Sequence, residues 1–234
     1  MMLIDHLQER QKKLQQKNKD FYTPGGLQVY FKEPLSDDKI DLEQVIGRFE
    51  NMLPSHLRDE IEMIIVGWFD EFESRSINAF YDSGTLFVSN IQNDELDIFD
   101  DIVHETAHSI EAAYGYEIYG DKKIEKEFLR KRKYLYDLLW SAGYKLPLTI
   151  FMDTEYNEEF DMFLYEKIGY EKLSQIVHGL FTSAYAPTSL REYFATGFTE
   201  FYINDDHQYL QKISPALYQK IILLQKQETL DNRP

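Results

Sequence analysis

Leu96, Phe99, Val103, Ala107 and Ile110 recur at spacings of three and four behind an acidic stretch that begins at Asn93 and Asp94. That period predicts an amphipathic helix capped by Asp94 or Asn93. Upstream, Leu42, Val45, Ile46, Phe49 and Leu53 repeat at the same spacing until Pro54 stops them, predicting a helix over 41–53. Between the two, residues 61–67 form an apolar run expected as a buried strand. Residues 77–81 and 85–89 flank Asp82-Ser83-Gly84, a tight-turn signal that predicts a β-hairpin. A small sheet is therefore expected just ahead of the helix that starts near Asp94.

Beyond that helix the pattern is helical throughout. Ile124, Phe128, Leu135, Leu138 and Leu139 predict one long helix ended by Gly143, residues 165–181 and 189–202 predict more, and Pro215 opens a last one. Leu3, Leu7 and Leu14 among Gln and Lys read as an exposed N-terminal helical arm, ended by Tyr22-Thr23-Pro24-Gly25-Gly26. The expected organisation is an arm over 1–25 and a single domain over 26–234. No repeat and no low-complexity tract is present.

Charge and composition narrow the chemistry. With 25 Lys plus Arg against 41 Asp plus Glu, the net charge of −16 argues against binding nucleic acid or docking on an anionic membrane. In so acidic a chain, Arg130-Lys131-Arg132-Lys133 is expected to be a solvated, salt-bridged face. The absence of cysteine removes thiolate ligands and thiol nucleophiles, leaving imidazole and carboxylate as ligands for a transition metal. No apolar run has signal-peptide or bilayer-spanning length. A chain complete at Met1 is thus expected in the cytoplasm, and a trimmed one is expected to be secreted.

The candidate chemistry lies in His104-Glu105-Thr106-Ala107-His108. Residues four apart stack on one helical face, so both imidazoles can address one zinc ion. Glu105 sits about 100° further round the helix, able to reach a water on that ion without ligating it. A catalytic zinc usually takes a third protein ligand and keeps one position open. His178 and His207 are isolated in their segments, and Glu155, Glu158 and Glu159 form an acidic cluster that a solvated helix face explains. Glu192 opens an aromatic and small-residue segment, Glu192-Tyr193-Phe194-Ala195. It is either a ligand or the acid of a Ser189-x-x-Glu192 capping box. Glu111 shares the face of the two histidines and either accepts the second ring N–H of a ligating histidine or is solvated.

These motifs resemble the zinc metallopeptidases of the anthrax lethal factor type, which include the Pro-Pro endopeptidases. In that family a Tyr stands seven residues before the Glu that opens an Glu-Phe-Phe-Ala-like segment, as Tyr185 stands before Glu192. The resemblance implies a zincin-like α+β fold over the chain from about residue 60, with Glu192 as third ligand and Tyr185 facing the reacting oxygen. It implies narrow specificity around proline. Two departures stand out. Thr196 occupies the position of the family's second Glu, for which Glu200 is a candidate replacement, and helices over 121–181 lengthen the interval between His108 and Glu192 as an insertion.

The expected activity is endopeptidase hydrolysis with Zn2+ as cofactor and a peptide or protein as substrate, Glu105 acting as general base. An extended peptide is expected to add along the strand at Phe87, Val88 and Ser89. Two alternatives use the same residues: a catalytically silent zincin-fold binding protein, and a zinc hydrolase acting on a non-peptide amide.

Overall fold

The computed structural model describes residues 19–75, 77–204 and 206–226; most of the expected N-terminal arm lies outside them. The architecture is α+β. The chain divides into two compact units, the first ending at Ile110 and the second beginning at Glu111.

In the first unit, β1 (Phe21–Tyr22), β2 (Gln28–Phe31), β3 (Met63–Gly67), β4 (Ala79–Asp82) and β5 (Thr85–Ser89) form a mixed sheet of order β1-β2-β3-β5-β4. The sheet thus begins at Phe21, inside the span expected for the arm. Strands β2, β3 and β5 run parallel, with Val29 opposite Ile64 and Ile64 opposite Leu86. Parallel neighbours need crossovers, which here carry helix α1 (Leu42–Met52) and helix α2 (Asp70–Arg75). The outer strands β1 and β4 are antiparallel to their neighbours.

Side chains alternate across the sheet with the period of two that strands impose. Val29, Ile64, Val66, Leu86 and Val88 are fully buried, whereas Met63, Ile65 and Phe87 are partly exposed. The run over 61–67 is therefore half-buried in alternation. The β4–β5 turn forms as expected, because Ser83 (φ 48°) and Gly84 (φ 86°) both adopt the left-handed region that a two-residue hairpin demands.

Helix α1 is capped by Asp41, whose Oδ1 accepts from the Gln44 N–H. The next helix, α3 (Glu95–Tyr119), lies alongside α1 at two places. The Asp41 N–H donates to Glu95 Oε1 (3.0 Å), and the Arg48 guanidinium sits 4.2 Å from the Phe99 ring centre. The division between the units falls inside α3.

The second unit is helical among its described residues. It contains α4 (Lys123–Ser141), α5 (Leu148–Phe151), α6 (Glu158–Met162), a wider turn over Phe163–Ile168, α7 (Tyr170–Val177), α8 (Leu190–Ile203), α9 (Gln208–Ile213) and α10 (Pro215–Leu224). The helix expected over 165–181 is broken at Gly169, whose φ of 82° no helix continues through. Helix α4 packs against α8 and α10, and Phe128, Leu135, Phe151, Phe160 and Leu164 are fully buried or nearly so. The helices of 121–181 thus supply core to this unit.

The basic run in α4 corrects its expected role. Lys131 and Arg132 are buried. Lys131 Nζ donates to Ser214 Oγ (2.6 Å) and lies over the rings of Phe181 and Tyr193. Arg132 donates to the carbonyls of Ile150 (2.6 Å) and Thr188 (3.5 Å), with its guanidinium 4.0 Å from the Phe160 ring centre. Long apolar stems let both enter the core, and the guanidinium of Arg132 gains a cation–π contact there. Arg130 is exposed and Lys133 pairs with Asp137, as a solvated, salt-bridged face would have them.

Candidate metal centre

Helix α3 positions the motif. Asp94 Oδ1 accepts from the N–H groups of Leu96 (2.8 Å) and Asp97 (3.0 Å), satisfying donors that the first turn leaves open. Ile98, Phe99, Ile102, Val103, Ala107 and Ile110 bury one side of the helix. Thr106 and Ser109 join them by returning their hydroxyls to the carbonyls of Ile102 (2.7 Å) and Thr106 (2.8 Å). That burial leaves His104, Glu105 and His108 at the margin, each half-buried.

The rings of His104 and His108 stand 5.1 Å apart, centre to centre, inclined at 74°. Ligand atoms of His104, Glu105 and His108 all lie within 4.8 Å of one another, a group able to hold a metal ion. A tetrahedral zinc with bonds of about 2 Å sets its donors about 3.3 Å apart. Imidazole with carboxylate also suits that ion chemically.

Glu105 is held from the sheet. Its Oε2 accepts a hydrogen bond from the main-chain N–H of Tyr81 on β4 (3.0 Å). Because β4 is an outer strand, the carboxylate sits at the sheet's free edge on that side. The expected peptide-binding strand needs correcting on the same ground. Phe87, Val88 and Ser89 belong to β5, which pairs with β3 on one side and β4 on the other and so has no free edge.

One helical turn before Glu105, Asp101 Oδ2 accepts from Gln92 Nε2 (2.9 Å), and burial pushes the Asp101 carboxyl up to about 7. Burial also raises Asp100, while the neighbouring His104 draws it down.

The remaining sequence-selected residues belong to the second unit. Glu111 accepts from the Tyr119 hydroxyl with one oxygen and from Arg191 Nε with the other (2.5 Å). The Glu111 carboxylate is thus paired and mostly buried, not solvated. Burial first, and then Glu111, lifts the Tyr119 hydroxyl well above the ordinary tyrosine range.

Glu192 stands in the first turn of α8, half-buried, and its N–H donates to Ser189 Oγ (3.1 Å). The capping half of the Ser189-x-x-Glu192 pattern is thus present. Thr196 Oγ1 donates to the Glu192 carbonyl (2.8 Å) and accepts from Thr182 Oγ1 (3.2 Å). Glu200 is half-buried further along α8, its carbonyl accepting from the Asn204 N–H (3.1 Å). Tyr185 lies edge-on to Tyr170, with ring centres 6.4 Å apart, and its carbonyl accepts from the N–H and hydroxyl of Thr188. His178 stacks on Tyr209 and His207 on Phe201, packing roles that fit their isolation in the sequence.

Tyr81 was missed by sequence reasoning, because its contribution is a main-chain N–H. Its only pointer was the hairpin that placed it on an outer strand. No helix of the described residues is long and apolar enough to cross a membrane. Compared with protein-family models, with curated proteins and with solved structures, the chain matches none.

Proposed function

We propose that this protein is a zinc-dependent endopeptidase with a zincin-like catalytic fold. The observation that carries the reading is the place of the Glu105 carboxylate, grouped with two imidazoles on one side and bonded to an outer strand on the other. A structural metal site has no need of a carboxylate so placed, whereas a hydrolase needs a base beside the strand that receives a peptide.

His104, His108 and Glu192 would hold the ion, the last by resemblance to the lethal factor type. When bound, zinc supplies a Lewis acid and lowers the pKa of a water to roughly 7. Glu105 would act as general base, taking a proton from an attacking water and returning it to the leaving amine. Tyr185 donates its hydroxyl to the developing oxyanion, an interaction stronger in the transition state than in the ground state. The substrate adds in extended form along β4, the outer strand next to Glu105.

Glu105→Gln is the decisive variant. It retains zinc and loses peptide cleavage by a factor of about 10² to 10⁴ against a peptide library read by mass spectrometry. Equal processing by the variant and the parent overturns the proposal.

A second reading has one observation in its favour. Thr196 spends its hydroxyl on the Glu192 carbonyl, so the position that carries an acid in the resembling family here carries none. A catalytically silent zinc-binding protein would bind zinc and leave the library intact. Cleavage of small amides without cleavage of peptides would mark instead a hydrolase of non-peptide amides.

A further inference from the structure

We infer that the main-chain N–H of Tyr81 is a positioning group for Glu105, and that it determines which carbonyl of an added peptide stays outside the strand ladder. The inference rests on the peptidase reading and names the substrate bond that reading leaves open. Strand β4 pairs with β5 in the register Phe80 to Phe87 and Asp82 to Thr85, and the Ser89 N–H donates to the Asn78 carbonyl (2.7 Å). In an antiparallel pair the hydrogen-bonded residues alternate. Residues 78, 80 and 82 therefore turn their main-chain groups to β5, and Ala79 and Tyr81 turn theirs to the free edge. The bond from the Tyr81 N–H to Glu105 Oε2 agrees with that alternation.

Two consequences follow. First, an amide from a rigid strand fixes the rotamer of a long, otherwise mobile carboxylate, engaging Oε2 and leaving Oε1 to receive a proton. The backbone donor is set by the sheet and does not reorganise during reaction. Second, Ala79 is buried and the Tyr81 N–H is already engaged, so of these two outward-turned residues the Tyr81 carbonyl is the group left for an added peptide. The peptide carbonyl that would have accepted from it lies instead beside Glu105 with no strand donor. That carbonyl belongs to the bond that is cut, and the assignment holds whichever direction the peptide runs.

Amide hydrogen exchange on the full chain, with and without added zinc, tests the anchoring without reference to activity. In Glu105→Ala the Tyr81 amide exchanges at least about tenfold faster, while the Phe80 and Asp82 amides keep their protection through β5. Unchanged exchange at Tyr81 overturns the inference. Tyr81→Pro removes the donor at an outward-facing position of an outer strand, where proline is tolerated. It is expected to lower kcat about 10- to 100-fold with zinc affinity and KM largely kept. A rise in KM alone, with kcat unchanged, shows that the amide serves binding and overturns the positioning role. Absence of cleavage by the parent protein overturns the peptidase reading and with it the assignment of the carbonyl, whereas the exchange measurement by itself decides the anchoring.

Discussion

Replacing Lys131 by methionine should make the second unit less sensitive to pH, in a direction its surroundings fix. Lys131 is 4% exposed, with Ser214 as hydrogen-bond acceptor and the rings of Phe181 and Tyr193 beneath it. Burial, countered by Glu127 and reinforced by Arg130, lowers its pKa from 10.5 to about 7. Between those two values the unfolded chain binds the proton and the folded chain does not. Stability contributed by this group therefore rises as pH rises from about 7 towards 10.5, and below about 7 the cost of burying the charge is present in full. At about 1.4 kcal/mol for each pH step, the span is on the order of 5 kcal/mol, reduced to about 2–5 by local opening of the site. Methionine matches the stem in length and carries no charge. Its advantage over the parent is largest near neutral pH and shrinks as pH rises. At high pH it falls behind by about 1 kcal/mol, the worth of the lost bond to Ser214. Urea unfolding followed by far-UV circular dichroism, for both proteins from about pH 6.5 to about pH 10, measures the difference directly. Parallel stability curves across that range would refute the reasoning, because they would mean that Lys131 keeps its proton on folding.

Two further outcomes concern packing and the metal. A Cβ at Gly197 would lie 2.2 Å from Leu217 Cδ2 and 3.0 Å from its Cγ, so Gly197→Ala should destabilise the α8–α10 contact by about 1–3 kcal/mol. Adding Leu217→Ala should make the penalty of the glycine change disappear in a double-mutant cycle measured by denaturant unfolding. Zinc at about a hundred times its Kd should raise unfolding stability by about 2.7 kcal/mol, and His104→Ala should abolish the increase, both read as thermal midpoints with and without a chelator. An equal increase in the variant would place the bound zinc elsewhere.

Local signals carried the sequence reading where local physics decides. The caps Asp94 and Ser189 accept the main-chain hydrogen bonds expected of them, and Ser83-Gly84 makes the turn its residues favour. Strand β2 escaped because four residues pairing in parallel with a strand more than thirty positions away leave no periodic trace. Gly169 was read through as helix, although its backbone is left-handed and ends one segment before another begins. The polarity of Lys131 and Arg132 pointed outward. Their actual partners, Ser214, Thr188 and Ile150, come from other parts of the unit and cannot be seen from the run itself. At the site, the spacing of His104, Glu105 and His108 was enough to bring their donors together, because one helix holds all three. The Tyr81 contact was illegible for the opposite reason, since a main-chain donor has no side chain to announce it.

Arg132 joins two separated stretches of main chain through one planar group, tying the carbonyl of Ile150 to that of Thr188, the residue immediately before the cap of α8. Lysine has no second arm for the other carbonyl and no flat face to lay on Phe160. Position 132 is therefore closed to the commonest exchange between basic residues. Lys133, half in solvent on the same helix, can take that exchange and still face Asp137, while the neighbouring arginine stays fixed by what the interior asks of it.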